Sequence, residues 1–185
     1  NTTTNKNTSN MQCRNDWAVI EDNALIDMGT GIFITNPGNY DNIQPDSVVV
    51  KNNYFKDAGH VGIWVEPTGN PDYPSKDDTV SNNLFDNCNG GLKLRDCNNI
   101  TIKYNECNCG EWKGIRDNLE TNSPNIFYNI FYGYGDDEIE LTLSTESYIY
   151  NNTVNGTIDL QGSGETVRNN IGSISGAGTS SNNAS

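Results

Sequence analysis

Apolar and polar positions along the chain recur in a fixed order. A β-branched aliphatic stands three residues before an asparagine at seven places: Ile20, Val50, Val80, Ile102, Ile126, Ile149 and Val167 precede Asn23, Asn53, Asn83, Asn105, Asn129, Asn152 and Asn170. Two residues after the asparagine come Leu25, Phe55, Phe85, Cys107, Phe131 and Val154, and only Gly172 departs from an apolar side chain. An alternating apolar pair follows about ten residues downstream: Ile32 and Ile34, Ile63 and Val65, Leu92 and Leu94, Ile139 and Leu141, Ile158 and Leu160. Period-two alternation in short β-branched runs predicts strands, and a unit of 18 to 30 residues predicts that each repeat is one turn of a solenoid. A helical solenoid would need a 3.6-residue period over longer runs, and none is present.

In such a stack the aliphatics point inward and meet the same column of the next coil about 4.8 Å away. Asparagine suits a tight bend, because it tolerates left-handed backbone angles and can hydrogen-bond the coil above and below. The asparagine column is therefore expected to be scaffold. The pattern, all-β over Trp17 to Ile174, resembles the right-handed parallel β-helix of pectate lyases, polygalacturonases and related carbohydrate-active proteins. The resemblance implies a solenoid of about seven coils with an asparagine ladder, in a single domain over residues 1–185. Both ends, "NTTTNKNTSN" and "SISGAGTSSNNAS", read as those of a piece or core of a longer protein. Open solenoid ends invite a further coil, an oligomer or a partner chain to cover them.

Composition changes this picture in four respects. An apolar content of 34% would suggest disorder without the repeat, but a solenoid needs little core per residue. The net charge of −13 argues against nucleic acid or an anionic membrane as partner, and no apolar run reaches the 18 residues of a membrane span. The five cysteines, Cys13, Cys88, Cys97, Cys107 and Cys109, show no zinc-type spacing beyond the "CNC" at 107–109, so no metal site is expected. Cys107, in the column of Phe55, Phe85 and Phe131, is expected to be a small buried hydrophobe. Six sequons, at Asn1, Asn7, Asn99, Asn151, Asn155 and Asn183, fit an exported protein, and with the resemblance they imply an extracellular or cell-surface location.

Candidate chemistry follows from alternation. If Ile63 and Val65 face inward, Trp64 and Glu66 face outward. The repeat then writes one outward column of Phe33, Trp64, Lys93, Arg116, Glu140 and Asp159, and a second of Thr35, Glu66, Arg95, Asn118, Thr142 and Gln161. Four of the eleven basic residues, Lys93, Arg95, Lys113 and Arg116, fall on or beside this strand in two adjacent coils. Aromatic faces stack on sugar rings and guanidinium forks bind uronate or sulfate, so the strip suits an acidic polysaccharide. Solvated charges pairing across rungs are the plainer alternative. The first two asparagine spacings are 30 residues against 22 to 24 in the next three. The surplus lies in loops 36–47 and 67–79, which are expected to wall one side of a groove whose floor is the Gly-Ile strand.

Within that groove, "GYGDDEIEL" at 133–141 resembles the Gly-Asp-Asp stretch of polygalacturonases, and "GHVGI" at 59–63 resembles their Gly-His-Gly element. Asp117 stands in the inward register of Val65, Leu94, Leu141 and Leu160, so either the strand bulges and turns it outward or it is a carboxyl with a raised pKa beside Arg116. Hydrolysis, slightly favoured, would draw on Glu140, Asp136, Asp137 and Asp117; elimination would draw on Lys93, Arg95 and Arg116 as base and charge neutraliser. Trp64, Glu66, His60, Trp112, Lys113 and Tyr134 are candidate sugar contacts. The asparagine-rich repeats, acidic pI and basic floor also resemble the disaggregatases of methanogenic archaea, which implies an acidic envelope polysaccharide as substrate. No cofactor is required by either chemistry; Ca2+ is compatible with them but indicated by no motif. The other class of function is a non-catalytic module that binds glycans or spaces other domains.

Overall fold

The computed structural model describes residues 9–35, 45–66, 74–117, 121–133, 137–176, 179–181 and 183–184. All pairings between the described strands are parallel, and the chain winds them into a three-faced β-helix. The ladder face is an eight-stranded sheet of Val19–Glu21, Val49–Lys51, Thr79–Ser81, Thr101–Lys103, Asn125–Phe127, Tyr148–Tyr150, Thr166–Arg168 and Thr179–Ser181. After each ladder asparagine the chain turns into a second face, with strands such as Tyr54–Lys56, Leu84–Cys88 and Glu106–Cys109. It then enters the floor face, formed by Ser9–Cys13, Thr30–Ile34, Val61–Val65, Gly90–Leu94, Ile115–Asp117 and Asp137–Leu141. One longer strand, Thr153–Leu160, runs through both of these faces and joins them into one 13-stranded sheet.

The interior is made by the columns that alternation predicts. Ile20, Val50, Val80, Ile102, Ile126, Ile149 and Val167 are buried on the ladder face, and Ile32, Ile63, Leu92, Ile115, Ile139 and Ile158 on the floor face. Phe55 and Phe85 stack with centroids 4.8 Å apart, which continues the rung spacing into the core. Cys107 takes its expected buried place between Phe85 and Phe131. It is also disulfide-linked to Cys109, a bond that "CNC" did not foretell, while Cys13, Cys88 and Cys97 are free and buried.

Glycine precedes the inward aliphatic on the floor strand for a reason of space. A Cβ on Gly31 would stand 2.6 Å from Phe55 Cδ1, one on Gly62 would overlap the Phe85 ring, and one on Gly114 would stand 2.6 Å from Phe131 Cδ1. Each large ring of the second face thus lies against a bare backbone across the coil. Where the ring is replaced by Cys107, the residue opposite is Gly91, whose Cβ would stand 3.0 Å from the sulfur.

The asparagine ladder runs without a break from Asn23 to Asn170, and Asn183 extends it. Asn105 shows its chemistry: Nδ2 donates to Val80 O at 3.0 Å and to Asn129 Oδ1 at 3.0 Å, while Oδ1 accepts from Asn83 N at 3.0 Å. The left-handed bend falls one residue earlier than expected. Asn52, Asn82, Asn151 and Asn169 have φ of 54° to 58°, so the first asparagine of each pair makes the turn and the second makes the ladder. Asn105→Ala should lower stability by roughly 1 to 3 kcal/mol, the cost of buried groups left without partners. Chemical denaturation of the two proteins measures this, and glycan binding should survive under folding conditions.

A second buried polar site lies at the corner before the ladder face. Asp78 is 1% exposed, accepts from Val48 N at 2.8 Å and from the Ser75 hydroxyl, and its carboxyl is pushed up to about 7, chiefly by burial. Those two hydrogen bonds pull the value down, and Asp46 and Asp77 add to the rise. Because the folded-state value is raised, the folded chain holds a proton that the unfolded chain has released. The associated stability is present below about pH 4 and is lost as the pH rises to about 7. A tenfold change in proton affinity is worth about 1.4 kcal/mol, so Asp78→Asn should gain on the order of 4 kcal/mol relative to the parent across that window. Urea midpoints between pH 4 and pH 8 measure it; parallel curves for the two proteins would refute the assignment.

Candidate functional site

The floor column has the order that the repeat predicts. Pairing places Gln12 beside Phe33, then Trp64, Lys93, Arg116, Glu140, Asp159 and Ser175, one per coil. All but Gln12 and Ser175 are half-buried, because their stems lie on neighbouring side chains while their ends reach solvent.

At the centre of the column aromatic and basic groups interleave. Phe33 and Trp64 have centroids 4.9 Å apart, and Lys93 Nζ lies 3.8 Å over the Trp64 ring. Trp112, from the turn before Ile115–Asp117, has Lys93 Nζ and Arg116 Cζ each 5.9 Å from its centroid. His60 lies edge-on between the two indoles, 5.2 Å from Trp64 and 4.5 Å from Trp112, with Nδ1 at 3.3 Å from the Thr30 hydroxyl. It is thus part of this cluster. The indole Nε1 of Trp64 is buried with no acceptor among the described residues.

The charges are arranged unequally. Arg95 is ion-paired to Glu66. Glu140 lies 3.6 Å from Arg116 Nε and 3.7 Å from Lys113 Nζ. Lys93 has no carboxylate in ion-pairing range among the described residues. Its pKa is held below the ordinary lysine range by burial, with Arg95 and Arg116 adding to the effect and Glu66 opposing it. His60 is lowered likewise, first by burial and then by Lys93, so it stays neutral near pH 7.

The acids divide. Asp159, beside Glu140 in the next coil, has its carboxyl lowered by bonds from Ser175 and Gln161; sequence reasoning put it in the column but did not single it out. Asp117 corrects an expectation. The strand does not bulge at this position: Leu94 pairs with Asp117 in register, and the side chain is 1% exposed on the inside. There it accepts from Thr142 N at 2.6 Å, the Thr142 hydroxyl at 3.1 Å and the Ser144 hydroxyl, tying the floor strand to the following turn. Of the remaining candidates, Tyr134 and Asp136 lie outside the described residues, as do Asn118 and loop positions 36–44 and 67–73, and for Asp137 only the backbone is described.

A family model of the right-handed β-helix region matches residues 11–154 and again residues 42–185, two placements displaced by about one coil. No curated protein and no solved structure gave a match. Parallel coils, a continuous asparagine ladder and a family match over most of its length establish that the chain belongs to the right-handed β-helix family.

Proposed function

We propose that the chain binds an anionic polysaccharide along the floor, outside the cell or at its surface, and cleaves it at a uronate by β-elimination. The observation that carries this reading is Lys93, whose amine lies over Trp64 with a lowered pKa, no carboxylate partner among the described residues, and Arg116 in the next coil. In the step, Lys93 Nζ takes the proton from the carbon that bears the uronate carboxyl, while Arg116 neutralises that carboxylate and the charge building behind it. The electron pair forms the double bond to the adjacent carbon, the glycosidic C–O bond there breaks, and the departing oxygen takes a proton from water. Trp64 and Trp112 supply the apolar faces on which sugar rings rest.

Hydrolysis has one observation in its favour, the adjacency of Glu140 and Asp159 on the same strip. Incubation with polygalacturonate and with chondroitin sulfate separates the readings. New reducing ends together with an unsaturated-uronate chromophore support elimination, and reducing ends alone select hydrolysis. Binding without either product makes the domain a non-catalytic glycan-binding module.

A further inference from the structure

A group of aromatic side chains outside the floor gathers on and beside the ladder face. Tyr104 and Tyr128 stack with centroids 5.4 Å apart, Phe127 and Tyr150 stack at 4.9 Å, and Lys103 Nζ lies 5.8 Å over Phe127. Cross-strand stacking stabilises a sheet, which accounts for the pairs themselves. It does not account for their placement. Tyr104 and Tyr128 hold φ of 55° and 56°, at the bend that Asp22, Asn52, Asn82, Asn151 and Asn169 make in the other coils. A bulky residue is strained in that region where asparagine is at ease.

The stack also ends abruptly. In the next coil the positions beside Tyr148 and Tyr150 are Thr166 and Arg168. Phe127 covers one face of Tyr150, and no ring or cation covers the other among the described residues. A cavity of about 400 Å³ opens there, lined by Tyr148, Tyr150, Thr166, Arg168 and Asn169. Arg168 is exposed and makes no ion pair among the described residues, although the chain carries 24 acids against 11 lysines and arginines. No carboxylate lines the cavity among the described residues.

We propose that this slot is a second glycan-binding site, in which one sugar ring of an anionic glycan stacks on the free face of Tyr150 and its carboxylate or sulfate is held by Arg168. A ring fits the volume, the aromatic face suits its C–H surface, and a guanidinium fork suits a planar or tetrahedral anion. The phenol groups of Tyr148 and Tyr150 and the Asn169 amide remain for sugar hydroxyls. The site shares its ligand class with the function proposed above but stands on a different face, so that a long chain could be held at one face while the floor acts on another segment.

The test is titration of the folded protein with a chondroitin sulfate hexasaccharide, and with cellohexaose as the neutral control, followed by amide resonances. The expected result is a shift of the Tyr150, Thr166, Arg168 and Asn169 amides with the sulfated probe, at least about tenfold weaker with the neutral one. Tyr150→Ala and Arg168→Gln should each weaken it by about tenfold while the floor amides of Trp64, Lys93 and Arg116 respond as before. Arg168 is exposed, so its variant remains informative if the Tyr150 variant loses its fold. Floor shifts without slot shifts overturn this site and leave the floor reading standing; slot shifts without floor shifts do the reverse. Slot shifts that persist unchanged in Arg168→Gln also overturn it.

Discussion

Gly62→Val is expected to abolish accumulation of the folded protein, and Gly62→Ala to destabilise it by about 3 kcal/mol or more, at the upper end of what overpacking costs. The backbone at Gly62 is extended, so any residue could adopt its angles; the obstacle is what faces it. A Cβ there would overlap Cδ1 and Cε1 of Phe85 and stand 3.3 Å from Gly91 O in the next coil. Phe85 cannot retreat, because it is fully buried and stacked on Phe55. Nor can the coil widen without breaking parallel pairing to the strands on either side. Shrinking the ring should restore room, so Gly62→Ala combined with Phe85→Leu should be more stable than the sum of the single changes by at least about 1 kcal/mol. Urea denaturation of the three variants checks it, and Gly62→Ala melting with the parent would refute the account.

That glycine column marks the limit of what the chain reveals in one dimension. Alternation and repeat length are local, so the inward aliphatics, the ladder asparagines and the outward order from Phe33 to Asp159 follow from them, and pairing places each as expected. What Gly62 meets across the coil depends on coil width, which no local pattern encodes. Asp117 is a related case: its hydrogen-bonding partners, Thr142 and Ser144, lie 25 and 27 residues away in the following turn, so a carboxyl in an inward register, read alone, suggested a bulge that the strand does not make. The ladder's extension to Asn183 is not legible in the repeat, because its 13-residue step from Asn170 is shorter than the repeat. At the floor, the basic cluster was legible as adjacency. Which cation has no carboxylate in range among the described residues was not, since it depends on how Glu66 and Glu140 settle on Arg95, Arg116 and Lys113.

That difference among the cations yields the largest functional effect. Lys93→Ala should reduce kcat for uronate cleavage by at least about a thousandfold, somewhat more than the loss of Arg116 or Glu140, each of which should cost about a hundredfold. The amine would be the proton acceptor itself, whereas Arg116 would stabilise charge and Glu140 would hold Arg116 in place. Folding should change little, because the lost contact over Trp64 is a half-exposed cation–π pair worth about 0.5 to 1 kcal/mol. Lys93→Arg separates charge from basicity: the guanidinium keeps a cation near the indoles but gives up no proton in the working range, so KM should hold while kcat stays low. The pH profile of the parent should rise and level off below the ordinary lysine pKa of 10.5, because burial and the charges of Arg95 and Arg116 favour the neutral amine. If Lys93→Ala cleaves as fast as the parent while Glu140→Gln is inactive, elimination by Lys93 is refuted and the bond is broken by the Glu140 and Asp159 carboxylates.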